Sequence, residues 1–340
     1  MLKQGEGRYW AVMLVMGGLV SAFCYASLSY GIIELSFADT VLTLLGLHST
    51  GEHDVLIQQF RLPRLIIAGL AGAGLGVAGA VLQGISRNGL ADPGILGINA
   101  GAGLAIVLFI FFYHGQMSGS DGLAVLLMPF FGLAGGLAAA LFVYLFSWNN
   151  GRLDHQRFLL NGIALASGLS ALTLYIMLKM NPADFLTATV WSMGSLLNAN
   201  WQYIIVTLPW FLLLFPVLLH KADMLDLLQL EEISVRSLGI SVEREQTLLL
   251  VCTTGLVSAC VSVAGSIAFV GLIVPHLARR LAGIHYSRII PLCALLGMLL
   301  VIMADFIAKN LFAPAEIAVG IIISLVGAPY FIYLLFTQKN

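Results

Sequence analysis

The sequence predicts an all-α polytopic membrane protein with about ten transmembrane helices. Of its 340 residues, 59% are apolar and only 10% are charged, against about 25% charged in soluble domains. The mean hydropathy is +0.96, and the apolar residues fall in runs free of charge. About 200 apolar residues at ~20 per span supply roughly ten helices and leave about 140 for connections and ends. No sizeable soluble domain fits in that remainder, so residues 1–340 read as a single transmembrane domain.

Taken in order, the runs lie near 10–32, 65–82, 94–112, 123–146, 158–178, 201–219, 246–263, 266–278, 289–304 and 317–337. The first follows a basic start and could pass for a secretory signal with a lipidated Cys24. Phe23 stands where cleavage needs a small residue, however, so it reads as an uncleaved helix. The second is preceded by Pro63, which permits a helix start but not a helix interior. The second to fourth carry the GxxxG pairs Gly72 and Gly76, Gly97 and Gly101, and Gly132 and Gly136, which let helices approach closely in lipid, within one chain or between subunits. The fifth and sixth are delimited by Arg157, Lys179 and Lys221, and the seventh begins after Arg244. The eighth is the shortest and stops at Arg279 and Arg280, the ninth runs from Arg288 to Asp305, and the tenth reaches almost to Lys339.

Sorting the sixteen basic residues orients the bundle. With the N-terminus inside, Lys3, Arg8, Arg87, Arg152, Arg157, Lys221, Arg236, Arg244, Arg279, Arg280, Arg288 and Lys339 are cytoplasmic, while Arg61, Arg64, Lys179 and Lys309 are outside. The positive-inside rule expects that bias, which places both termini in the cytoplasm. A net charge of −1 leaves no nucleic-acid footprint.

Catalytic and energising motifs are absent. No GxxxxGK[ST] offers a phosphate cradle, no HExxH or GxSxG occurs, and Cys24, Cys252, Cys260 and Cys293 sit in apolar runs without CxxC or a neighbouring His. His276, beside Pro275, reads as a cap or interface residue. Only Glu34 and Asp305 approach the span interiors, and both lie toward span ends. A proton- or sodium-coupled carrier would want a midplane carboxylate, so a transporter of this composition must be driven by a partner.

Two connections look like contact sites. Residues 223–240 alternate Leu225, Leu228, Leu230, Ile233 and Leu238 with Asp223, Asp226, Glu231, Glu232 and Arg236, and Gly239 ends the run. One or two short amphipathic helices follow, about 221–244 in all. Their acidic face suits a protein partner better than lipid headgroups, which favour Lys and Arg. At the other face, Arg61 and Arg64 mark the mouth of the second span, either snorkelling or awaiting an acidic partner.

Five motifs in order, RLPR at 61–64, GAVLQGISRNGLADPGILGINAGAG at 79–103, SVRSLGI at 234–240, GSIAFVGLIVPHLARRLAG at 265–283 and ADFIAKNLFAPAEIAVGIIISLVGAP at 304–329, are similar to those of the membrane-spanning permeases of ABC importers for iron chelates, haem and vitamin B12. The resemblance runs from about Phe60 to Phe336. Gly89 replaces a proline of the family pattern, and Ala318 departs from the ELPxG that opens its last span.

The resemblance implies ten helices with spans 2–5 and 7–10 as inverted repeats, a second permease making a homodimer or heterodimer, two copies of an ATP-binding subunit and an extracytoplasmic substrate-binding protein, in the bacterial inner membrane. Arg61, Arg64 and Lys309 match the family's basic positions that meet acidic residues of the binding protein. Lys309 stands where Arg is expected and cannot bind bidentately. Leu225, Leu228, Glu231, Arg236, Leu238 and Gly239 fall in the segment that couples to the ATPase. No cofactor or metal is implied for this chain, since ATP and magnesium belong to the ATPase, and no enzymatic activity is expected. Ferric siderophore is the expected cargo, with haem or cobalamin as alternatives. An ion-coupled carrier and a non-transporting receptor are the rival classes.

Overall fold

The computed structural model describes all residues except 1, 32, 34, 47–50, 114–121, 150–151 and 338–340; Glu34 and Lys339 therefore lie outside the described residues. Fourteen helices account for nearly all of the rest: α1 (Leu2–Ser29), α2 (Phe37–Leu44), α3 (Gly51–Ser86), α4 (Ile98–Tyr113), α5 (Gly122–Ser147), α6 (His155–Met177), α7 (Pro182–Ser192), α8 (Trp201–His220), α9 (Ala222–Leu227), α10 (Glu232–Ser237), α11 (Val242–Ala264), α12 (Val270–Ala282), α13 (Tyr286–Asn310) and α14 (Val319–Thr337). A two-residue antiparallel ladder, Trp148 opposite Leu153, links α5 to α6. Among the described residues eight helices are long and apolar enough to cross a bilayer. With α4 at 16 residues and α12 at 13, they make up the ten expected spans.

Side-chain caps start several of these helices where apolar pattern alone is vague. The Asp154 carboxylate accepts the N–H groups of Gln156 and Arg157 at the start of α6. Asn181 accepts those of Ala183 and Asp184 ahead of Pro182 in α7, and Asn200 accepts that of Tyr203 in α8. Each satisfies donors that the first helical turn leaves free.

Three departures from the expected spans have local causes. Pro63 does not open its helix. The chain is already helical from Gly51, and over Val55–Arg61 it is π-wound, with Leu62 N–H donating to Ile57 O five residues back. The widened turn lets a residue without an N–H follow. The third and eighth spans begin four residues later than the hydropathy suggests, at Ile98 and Val270. Each is preceded by a left-handed residue, Gly97 (φ 77°) and Phe269 (φ 66°), which no α-helix can include. These breaks occupy corresponding places in the two sets of four spans.

Two ends of the bundle can be told apart by contact. At one, the mouth end, Trp201 Nε1 at the start of α8 donates to Gln58 O in α3 (2.8 Å), and Arg64 in α3 meets Asp305 near the end of α13 (2.8 Å). At the other, the segment end, Lys221 just after α8 meets Glu245 at the start of α11 (2.8 Å). Hence α3 and α11, which open spans 2–5 and 7–10, start on opposite faces, and the two sets of spans are inverted. Arg288 over the Tyr9 ring (5.7 Å) puts the beginning of α1 at the segment end.

α3 and α11 are also the most enclosed spans, whereas only 6% of the apolar window of α6 is buried. Small residues make this enclosure possible. A Cβ on Gly72 would overlap the carbonyl of Gly297, and one on Gly297 would overlap that of Gly72; α3 and α13 therefore touch backbone to backbone. The same holds for Gly101 in α4 against Gly135 in α5, while Gly132 and Gly136 face Ser262 and Ser258 of α11. All three GxxxG pairs thus pack within the chain. The four cysteines are free thiols, three of them buried.

Candidate functional site

At the mouth end the sequence-flagged cations come together around a cavity of about 460 Å³ lined by Arg61, Arg64, Lys309, Glu316, Tyr30 and Phe60. Each cation has a partner within the chain. Arg61 spreads its guanidinium over the carbonyls of Leu28, Ser29 and Ile33, tying α3 to the end of α1. Arg64 donates from Nε to Asp305 Oδ1 and from Nη1 to Glu316 Oε2, both at 2.8 Å. Lys309 Nζ donates to both the carbonyl and the hydroxyl of Ser27 at 2.7 Å. Asp305 is only 1% exposed, and a carboxylate so placed persists only when paired. Among these described groups three cations outnumber two carboxylates, so the cluster is positive.

Deeper, a cavity of about 600 Å³ opens where helices are interrupted. Its polar lining comes from Asp92, Asn99, Ser170, Thr173, Ser192 and Ser266, beside Trp191 and Phe269. The late starts of α4 and α12 bring Asn99 Nδ2 to Ser266 Oγ (3.3 Å), a bridge between the two inverted halves. The end of α7 closes on the same point. Gly194 (φ 77°) accepts the N–H of Gly320 at the start of α14 (3.0 Å), and a Cβ on Gly320 would overlap the carbonyl of Met193. The interrupted segments are thereby joined by neutral side-chain and backbone hydrogen bonds rather than by charge.

Asp92 supplies the carboxylate on this cavity. It precedes the 3₁₀ turn Pro93–Leu96 and caps it by accepting Gly94 N–H at 2.9 Å. Burial pushes its carboxyl up to about 6, more than the Gly94 hydrogen bond draws it down. The remaining lining is neutral, made of hydroxyl, amide, aromatic and aliphatic groups, and suits many weak contacts with a bulky solute rather than tight capture of an ion.

At the segment end, α9 and α10 divide the flagged residues into two sets. Leu225 and Leu228 are 0% and 2% exposed and point into the bundle, so they seat the segment and do not present it. Leu230, Ile233 and Leu238 are exposed, as are Glu231 and Gly239. Arg236 bridges Glu232 within α10 and Glu243 at the start of α11, and Gly239 (φ 79°) turns the chain between them.

The segment is fastened to both halves. Arg87, which ends α3 in a left-handed conformation (φ 50°), donates to the carbonyls of Leu228 (3.1 Å) and Leu230 (2.6 Å). Gln229 Nε2 donates to Gly84 O in α3 (3.0 Å). On the other side the Asp226 carboxylate receives Tyr286 N–H (2.9 Å) and lies 3.2 Å from His285 Nδ1. A polar line then runs inward, from Arg279 Nη1 to Gln83 Oε1 (2.6 Å) and from Gln83 Nε2 to Gly271 O (3.2 Å).

Sequence reasoning named no residue of the central cavity and did not foresee α7. Its available signals were Asn181 followed by Pro182, an N-terminal cap pattern, and isolated polar residues such as Asn99 and Ser266 inside apolar runs. Among the described residues no cluster of His, Cys, Asp and Glu could hold a metal ion.

Residues 19–337 match the model of the FecCD transport family. The chain is 51% identical over 322 residues to the iron-uptake system permease protein FeuC of Bacillus subtilis, covering 95% of this chain and 96% of that one. It is 44% identical over 334 residues to the iron(3+)-hydroxamate import system permease protein FhuG of the same organism, covering 98% and 99%. Among solved structures, a metal-chelate type ABC transporter in an inward-facing conformation superposes with a TM-score of 0.82 at 29% identity, over 96% of this chain and 99% of the other.

Proposed function

Since the chain belongs to the FecCD transport family, we propose that it is the permease subunit of an ATP-binding cassette importer that carries a ferric siderophore across the bacterial cell membrane. The observation that carries this reading is the cavity of about 600 Å³ at the junction of interrupted spans, neutral apart from Asp92. It lies between a cationic mouth and an exposed apolar segment. A wide neutral lining suits a bulky chelate, and the likeness to FeuC and FhuG, named for iron uptake and iron(3+)-hydroxamate import, points to siderophores.

In this reading the segment end and both termini are cytoplasmic, a second permease completes the pathway, and residues 1–340 form one permease domain with no enzymatic activity of its own. Two ATP-binding subunits, which hold ATP and magnesium, seat on Leu230, Ile233 and Leu238 around Glu231, Arg236 and Gly239. Leu225 and Leu228 transmit the push into the bundle. Outside, a substrate-binding protein docks through carboxylates that meet Arg61, Arg64 and Lys309. The helix breaks at Gly97, Gly194 and Phe269 allow the cavity walls to shift while the Gly72 and Gly297 crossing holds the bundle together, so access alternates between faces.

The test is uptake into vesicles reconstituted with the second permease, the ATPase and the binding protein. Radiolabelled ferric siderophore should accumulate with ATP, stop when the ATPase is inactivated and survive an uncoupler. Uptake that ignores the ATPase and collapses with the uncoupler would establish an ion-coupled carrier instead. Accumulation of haem or cobalamin in place of the siderophore would reassign the cargo. Charge reversal of Arg61 and Arg64 together should weaken binding-protein affinity and uptake without reducing insertion.

A further inference from the structure

We infer that Glu316 is an internal stand-in for the docking partner's carboxylate, and that exchange of one for the other on Arg64 passes the docking event to the cavity. The inference rests on the docking role proposed for Arg64. Its two carboxylates are not equivalent. Asp305 is buried deep in α13 and holds Nε, whereas Glu316, with its side chain 30% exposed, holds Nη1 from the outer side. Glu316 closes the exposed stretch Leu311–Glu316, so an acidic surface approaching the mouth meets a negative charge already seated on the cation it needs.

A guanidinium offers a fixed fork of donors, and one bidentate carboxylate takes the direction Glu316 uses. Arg61 and Lys309 donate to carbonyls and a hydroxyl of α1 rather than to carboxylates, so their charges add to the attraction of the same partner. What Glu316 restrains is close to the cavity. Four residues on, Gly320 is fixed to Gly194 and packs on the carbonyls of Met193 and Ser266. Releasing Glu316 frees the connection that positions the start of α14, and with it the junction where the cavity is closed.

The experiment measures affinity between the substrate-binding protein and the complete transporter in lipid nanodiscs. Glu316→Gln keeps the shape and removes the competitor, so affinity should rise by about threefold, the range of a single partly exposed ion pair; Arg64→Gln should lower it. If Glu316 merely steadies Arg64 for docking, Glu316→Gln will lower affinity too, and that result or an unchanged affinity overturns the inference. If Arg64→Gln leaves affinity unchanged, the docking role itself fails, a distinct outcome. A spin label on Ala315→Cys adds a readout independent of affinity. Its mobility should increase on docking in the otherwise native chain and be high beforehand in the Glu316→Gln background, and equal mobility in all states would refute the exchange.

Discussion

The carboxylate of Asp226, in α9, accepts the backbone N–H of Tyr286, the first residue of α13, at 2.9 Å. A helix that crosses the whole bundle is thus capped by a residue of the segment that meets the ATPase in the proposed assembly. His285, the residue in the capping position of α13, makes no side-chain cap of its own. Any displacement of α9 therefore pulls directly on the first turn of α13, and through the Gly72 and Gly297 crossing on α3.

Asp226→Ala should cost about 1 kcal/mol of stability, as loss of a helix cap does, and should reduce cargo moved per ATP hydrolysed more than it reduces hydrolysis. Asp226→Asn retains an acceptor and should restore most of the coupling. Uptake and phosphate release in the same vesicles provide the ratio, and an unchanged ratio in Asp226→Ala would remove α9 from the transmission path.

The apolar residues of the segment should separate by the direction they face. Leu225→Ala and Leu228→Ala empty buried volume and should destabilise the protein by about 2–5 kcal/mol. Ile233→Ser and Leu238→Ser remove exposed side chains, so thermal stability should stay within about 0.5 kcal/mol while the ATPase dissociates more readily. Melting curves and co-purification of the ATPase distinguish the two classes.

At the mouth, Asp305→Ala strips Arg64 of its inner partner and should cost about 3–5 kcal/mol, because a cation with 14% side-chain exposure is left partly uncompensated. Replacing both residues by apolar ones of similar volume, Arg64→Met with Asp305→Leu, should recover most of that stability and still abolish docking. Stability rescued without function would assign the buried pair a dual role.

The features behind these outcomes are unequally visible in the sequence. The spans were legible because a charge-free apolar run of ~20 residues has the length that a bilayer core demands and that soluble helices seldom reach. The late starts of α4 and α12 were not, since they are set by φ at Gly97 and Phe269, which hydropathy does not register. α7 was missed because its 11 residues are too few to span and its burial of Ala188 and Trp191 is decided by helices distant in sequence. Asp305 could be recognised as a carboxylate needing a partner, yet Arg64 stands 241 residues away. In helices of six residues such as α9 and α10, no periodicity shows that Leu225 points inward and Ile233 outward.

Gly72 offers a test of the crossing itself. Gly72→Ala places a methyl group into the Gly297 carbonyl, where neither backbone can give way, so the variant should lose folded yield. Gly168→Ala in α6, with nothing within 4 Å of the added carbon, should fold normally and gain slightly from helix propensity. Size-exclusion profiles of the two variants in detergent are sufficient, and equal yields would mean that α3 and α13 are less closely packed than their backbones indicate.

Asp92 makes stability depend on pH with a definite sign. Its carboxyl is pushed up to about 6 by burial beside the cavity, above its value in the unfolded chain. Below about pH 4 the group is protonated in both states and costs nothing. As pH rises toward 6 the unfolded chain ionises first, so folding must retain a proton, and stability declines until both states are ionised. Above about pH 6.5 the full cost, on the order of 1–3 kcal/mol, persists. Asp92→Asn cannot titrate and, because Asn caps as well as Asp, still accepts Gly94 N–H. Its melting temperature should therefore match the native protein near pH 4 and exceed it at pH 7.5, with the difference developing between those limits. Asp92→Ala loses the cap as well and should be less stable than Asp92→Asn at every pH. A constant offset between native and Asp92→Asn proteins from pH 4 to 7.5 would show that the carboxyl is solvated by the cavity and titrates normally. It would then change charge near the ordinary carboxylate range, whereas the raised value moves that change up to about pH 6 and leaves the group ionised at neutral pH.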